Sequence, residues 1–148
     1  MTAAPAMPLT ELYEADETAW LDAMAMLIAE RRTSEFDLPN LQEYIESMAI
    51  RDRRETINRL IVLLMHILKW EYQPDGRTGS WRSTIREQRR QLRSICERGV
   101  LRIHAEENLA EAYDNARLNA SDETGLNVTE FSFECPWTLE QILADDDA

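Results

Sequence analysis

The sequence predicts an all-α fold: a single helical bundle of about five helices, closed by a short C-terminal docking helix. Three observations carry that expectation. Glycine is scarce, at four residues in 148, and β-branched runs are few. Apolar residues recur at helical spacing along most of the chain. Helix start and stop signals fall between those stripes.

The first predicted helix covers residues 16–32, with Asp16 as its N-cap and Trp20, Met24, Leu27 and Ile28 as its apolar stripe. Asp37 caps the second helix, whose first turn tolerates Pro39. Leu38, Leu41, Ile45 and Met48 form its buried face. The third helix spans residues 51–73, and a soft boundary near Ala49 separates it from the second. It is apolar nearly all round between Leu60 and Leu68, which marks the most buried helix of the bundle. Pro74, Asp75, Gly76 and Gly79 end it in a turn. Ser80 is the expected N-cap of the fourth helix, residues 81–98, with Trp81, Ile85, Leu92 and Ile95 on one side; Gly99 stops it. A fifth helix follows over residues 101–121, with Ile103, Leu109, Tyr113 and Ala116 inward. Leu126, Val128, Phe131 and Phe133 then alternate with polar residues, as in a short extended arm. Thr138 and Gln141 spell a capping box, with Trp137 and Ile142 placed as a hydrophobic staple, so a last short helix docks through Trp137.

The expected organisation is one helical domain over residues 1–148, with flexible ends at 1–9 and 144–148. The run Asp145, Asp146, Asp147 is expected to be solvated. Residues 1–8 lack the pattern of a signal peptide, and no apolar run is long enough to span a bilayer. Cys96 and Cys135 are the only cysteines, far apart and without a CxxC, which suits reduced thiols in a cytoplasm.

Charge is segregated. The net charge is −12. Acidic residues dominate both ends, whereas residues 77–102 hold eight arginines against Glu87 and Glu97. Lys69 is the sole lysine. Arginine suits planar, bidentate contact with carboxylate or phosphate.

Candidate chemistry concentrates in residues 69–90. Arg82, Arg86, Arg89 and Arg93 share a helical stripe. One reading is contact with nucleic acid phosphates or a smaller anion. The other is ion pairing with Glu43, Glu46 or Glu107, which the acidic surroundings favour. The turn at Gly76, Arg77, Thr78, Gly79 and Ser80 has the makings of an anion cradle with Arg77 and Arg82, but also those of a plain turn; P-loop spacing and its lysine are absent. His66 lies in the apolar helix near Lys69 and Trp70. It is either a base or, more commonly, a core imidazole bonded to a carbonyl. Lys69 reads as a lysine that snorkels from the core. His104 with Glu107, Glu111 and Asp114 has metal-like spacing, yet a solvated acidic face explains it as well. A di-iron site needs two Glu-x-x-His motifs, and Leu63 and Leu101 stand where the glutamates would be.

The run from Leu60 and Leu64 through His66, Leu68, Lys69, Trp70, Glu71, Tyr72, Gln73 and Pro74, continued by Ser80, Trp81, Arg82, Ser83, Thr84, Ile85, Arg86, Glu87, Gln88 and Arg89, resembles a bacterial family described as domain of unknown function twenty-nine. Leu12, Tyr13 and Trp20 fit it too, as do Ala112, Tyr113, Ala116 and Arg117, and the segment from Glu134 to Leu143. The resemblance covers nearly the whole chain and implies a small, all-helical, cytoplasmic bacterial domain. It brings no activity, cofactor or catalytic residue. Ala49 departs from the glycine that members often carry nearby, which puts a helix break there in doubt.

Two functions are therefore expected in order. The first is a non-enzymatic protein–protein interaction or regulatory module, acting through self-association or another protein, with no cofactor, metal or membrane. The second is binding of nucleic acid or a phosphate ligand. The candidate binding residues are Arg77, Ser80, Trp81, Arg82, Arg86, Arg89, His66 and Lys69.

Overall fold

Helix is the only regular structure among the described residues, 7–144 of a computed structural model. Seven α-helices lie in that span: α1 (Leu9–Ala15), α2 (Glu17–Ala29), α3 (Leu38–Tyr72), α4 (Gly79–Ile95), α5 (Val100–Glu107), α6 (Leu109–Thr124) and α7 (Leu139–Leu143). The all-α expectation holds, with more helices than the five expected. The solvated tail at Asp145, Asp146 and Asp147 lies outside the described residues. The chain divides into two compact units, Met1–Ile50 and Arg51–Ala148, and the division falls within α3.

The first unit is organised by Trp20, which is fully buried with Met24 and Leu27 at its side. Asp16 caps α2 as expected, its carboxylate accepting from the Ala19 amide at 3.1 Å. The α1 helix was not anticipated. It starts at Leu9, where a flexible end was expected, and Leu9, Leu12 and Tyr13 pack on the Trp20 cluster. Tyr13 meets the indole edge-on at 4.8 Å, and Tyr44 lies at 5.9 Å. The indole Nε1 donates to the buried carboxylate of Asp37 at 3.0 Å, and Asn40 donates to the same oxygen at 2.7 Å. Asp37 thus stands at the start of α3, where its carbonyl accepts from the Leu41 amide, and also ties α2 to it. Ile28, Leu38 and Ile45, expected inside, are exposed. The stripe turns toward Leu41 and Tyr44 instead.

The expected boundary at Ala49 is absent: α3 runs unbroken for 35 residues. No proline or glycine lies between Asn40 and Gln73, so nothing interrupts the backbone ladder. In the second unit Leu60, Leu63, Leu64 and Leu68 are fully buried, as expected of the most apolar stretch. Around them pack Ile85 and Leu92 of α4, Tyr113 and Ala116 of α6, and Leu139, Ile142 and Leu143 of α7.

Further corrections concern local structure. The predicted fifth helix is two helices that meet at Asn108, whose side-chain amide donates to the His104 carbonyl at 2.8 Å. A side chain bidding for an i−4 carbonyl disturbs the ladder there. Ile103, expected inward, is exposed, whereas Tyr113 and Ala116 are buried as expected. The extended arm is instead a short 3₁₀ turn, Val128–Glu130, fixed by a capping box between Asn127 and Glu130. That local bonding outcompetes a strand that has no neighbour to pair with. The final helix forms as expected. Gln141 N donates to Thr138 Oγ1 at 3.2 Å and Thr138 N to Gln141 Oε1 at 2.9 Å.

Candidate functional site

Four of the five arginines of α4, Arg82, Arg86, Arg89 and Arg93, lie four, three and four residues apart, so they form a stripe beside the buried edge of the helix. A cleft of about 340 Å³ opens along that stripe within the second unit. Trp70 and Ile67 of α3, Ile142 of α7 and Trp137 just before that helix give it apolar walls. Arg82, Arg86, Arg89 and Arg93 line it, together with Glu71 and Gln141.

These arginines are not equivalent. Arg89 is buried, and its Nε donates to the Ile142 carbonyl at 2.9 Å. That oxygen belongs to the last turn of α7, where the helix offers no later amide to bond it. Arg89 therefore holds α7 to α4. Arg82 is exposed and stands 5.5 Å over the Trp70 ring. Arg86 is exposed as well. Neither Arg82 nor Arg86 has an ion-pair partner among the described residues, so the expected pairing with Glu107, in the same unit, does not form at these two. Pairs within one helix form instead at Arg90 with Glu87, Arg59 with Glu55 and Arg102 with Glu106. Hydrogen bonding to Arg90 holds the Glu87 carboxyl down at about 2.

The turn before α4 differs from an open anion cradle. Thr78, not Ser80, is the N-cap, its hydroxyl accepting from the Trp81 amide at 3.2 Å. Helix α4 begins one residue before Ser80, at Gly79, which leaves Ser80 exposed in the first turn. Arg77 lies 4.8 Å over Trp70 and donates from Nε to the Trp70 carbonyl at 2.8 Å. The cap hydroxyl and the Arg77 guanidinium, the groups that would cradle a phosphate, are thus engaged by the chain itself.

Three more candidates lie away from the cleft lining. Lys69 is buried rather than snorkelling outward. Its ammonium donates to Glu123 at 2.6 Å and sits 4.5 Å over the Trp81 ring. Trp81 is thereby covered. His66 is half-buried and donates from Nδ1 to the Val62 carbonyl at 2.8 Å, the ordinary arrangement of a helical core imidazole. His104 accepts at Nδ1 from Asn108 at 3.3 Å. Burial pushes the thiols of both free cysteines, Cys96 and Cys135, above their usual range, which lowers their thiolate fraction. No group of three His, Cys, Asp or Glu side chains converges as metal ligands among the described residues. No helix there is long and apolar enough to cross a membrane.

The structure thus gathers Arg82, Arg86 and Arg89 and sets Lys69 and His66 apart. It adds Trp137, Ile67 and Gln141, which the sequence did not suggest as site residues. Only the staple signal at Trp137 hinted at docking, and the helix it docks on was not legible.

Fold and cleft together define an all-α protein whose second unit carries an arginine- and tryptophan-lined groove. By sequence the chain belongs to the family described as Domain of unknown function DUF29, whose model matches residues 12–147. Neither the curated proteins nor the solved structures gave a match.

Proposed function

We propose that the protein is a non-enzymatic interaction module of the bacterial cytoplasm, and that its arginine–tryptophan cleft grips an acidic segment of a partner protein. The observation that carries this reading is the pair Arg82 and Arg86, two exposed guanidiniums lacking ion-pair partners among the described residues, beside apolar walls formed by Trp70 and Trp137. Carboxylates would pair with the guanidiniums while a leucine or phenylalanine of the same segment fills the space between the indoles. Free cysteines fit the reducing compartment.

The second reading is a nucleic acid or a phosphorylated small molecule. Its stacking residue, Trp81, lies beneath Lys69, and its turn is occupied by Thr78 and Trp70. Those engagements favour the peptide.

The test is fluorescence anisotropy with a fluorescein-labelled hexapeptide, Asp-Leu-Asp-Asp-Phe-Asp, at low ionic strength, against a single-stranded oligonucleotide. We expect the peptide to bind, and Arg86→Ala to weaken it about fivefold, as loss of one exposed charge contact does. Replacing Phe by Ala in the peptide weakens it as well. Tighter binding of the oligonucleotide, lost in Arg86→Ala, transfers the site to the second reading. No binding of the peptide rejects the first. A mass increase in light scattering identifies a second copy of the chain as the partner.

A further inference from the structure

We propose that a groove between α3 and α4, separate from the arginine cleft, binds a diphosphate group through Arg51 and Arg54. The groove has a volume of about 390 Å³, lies within the second unit and shares no lining residue with the cleft. The proposal therefore stands or falls independently of the peptide reading.

Arg51, Arg54, Asn58 and Val62 recur along one face of α3, and Gln88 of α4 stands on the other side of the groove. Glu55 supplies the lining with its acidic side chain. It has an arginine one turn to either side, Arg51 before it and Arg59 after it. Glutamate ahead of the cation is the better order on a helix, and Glu55 accordingly accepts from Arg59 Nε at 3.0 Å. Arg59 is held from the far side as well, donating from Nη1 to Gln88 Oε1 at 3.2 Å. Glu87, whose carboxyl also feels the charge of Arg59, is bonded to Arg90 and Gln91. The acids near the groove are thus committed. Arg51 and Arg54 are exposed, and neither has a hydrogen bond or ion pair among the described residues.

The groove consequently presents an excess of donors. Two uncommitted guanidiniums stand with the Asn58 amide and with the Gln88 amide, whose oxygen is taken by Arg59 and whose NH2 is left to offer. Residues three apart on a helix are separated by about 5 Å along its axis, so the two guanidinium forks can meet neighbouring phosphoryl groups. A single carboxylate or phosphate fills one fork and leaves the other without a partner. Val62 is the apolar residue of the lining, and no aromatic side chain belongs to it, so a nucleobase finds no stacking surface there. Recognition rests on the diphosphate itself.

Isothermal titration calorimetry tests this with sodium pyrophosphate, sodium phosphate and ADP against the full-length protein, at low ionic strength and without divalent cations. We expect pyrophosphate to bind at least about tenfold more tightly than phosphate, because it engages both forks. We expect ADP to bind no more tightly than pyrophosphate. The double variant Arg51→Gln, Arg54→Gln should lose about tenfold in affinity with its thermal melt unchanged, both side chains being exposed. Arg86→Ala should leave pyrophosphate binding as it was. Absence of pyrophosphate binding, equal binding of phosphate, or undiminished affinity in the double variant overturns the proposal. A loss in Arg86→Ala as large as in the double variant also overturns it and moves the anion to the cleft. ADP binding tighter than pyrophosphate overturns recognition by the diphosphate alone.

Discussion

Lys69 and Glu123 form an ion pair whose two halves differ in burial, and that difference predicts an asymmetric response to mutation. The lysine side chain is 9% exposed and the glutamate 49%. Removing Glu123 leaves an ammonium inside the second unit with the Trp81 face as its remaining partner. Breaking a fully buried pair costs about 3–5 kcal/mol. The half-solvated carboxylate warrants a discount, so Glu123→Ala is expected to cost about 2 kcal/mol. In a chain of this size that lowers Tm by about 4–8 °C. Lys69→Met behaves differently. It forfeits the pair and a cation–π contact of about 1 kcal/mol, but it also removes the desolvation cost of the ammonium and keeps the stem volume. The expected net change is within about 1 kcal/mol of zero. Urea unfolding of both variants and of the double variant, followed by far-UV ellipticity, reads the order directly. A Lys69→Met penalty at least about 1 kcal/mol larger than that of Glu123→Ala would refute the reasoning, because burial would then not decide which partner matters.

Three other outcomes rest on single contacts. Gly76→Ala places its Cβ 2.8 Å from Trp81 Cη2 and 3.0 Å from Gln73 Oε1, so denaturant titration should show a loss of about 1–2 kcal/mol. Tyr113, pushed up to about 12 mainly by burial, donates to the Ser132 carbonyl at 2.6 Å. Tyr113→Phe should cost about 1 kcal/mol and remove the last-titrating phenol from an ultraviolet pH titration. Glu87 has its carboxyl held at about 2 against an ordinary 4.5, so its contribution is present above pH 4.5 and lost as pH falls toward 2. The stability gap between parent and Glu87→Gln should therefore close over that interval in acid urea titrations.

What the sequence revealed tracks the range of the interactions involved. Asp16 as a cap, the Thr138 and Gln141 box, and the burial of Leu60 to Leu68 depend on residues within a turn or two, and each was legible. The continuous α3 was not, because a soft boundary was placed where no breaker stands. Neither was α1, whose amphipathic stretch ends at Asp16, a residue read only as the cap of α2. The cleft required knowledge of which helix α7 would meet. Ile142 bonds to Arg89 across 53 residues, and Trp137 joins Trp70 in one lining across a longer interval. Sequence spacing defines a stripe but not the surface laid beside it.

The division of labour within that stripe does follow from helical geometry. Successive residues turn by about 100°, so, measured from Arg82, the core positions Ile85 and Leu92 lie at about −60° and −80°. On the same wheel Arg89 lies at about −20°, Arg93 at about +20° and Arg86 at about +40°. Arg89 is the arginine nearest the core edge, and it is the one that is buried and bonded to α7. Arg86 is the farthest from it and is exposed. A guanidinium near the core edge must find a fixed acceptor, because an unpartnered buried charge is too costly to retain. A guanidinium on the outer edge is hydrated and meets no such demand, so its charge remains available to an incoming carboxylate. One helix thus anchors α7 with its inner arginine and presents the cleft with its outer ones. Substitutions at Arg89 should accordingly register first in stability, and those at Arg86 first in binding.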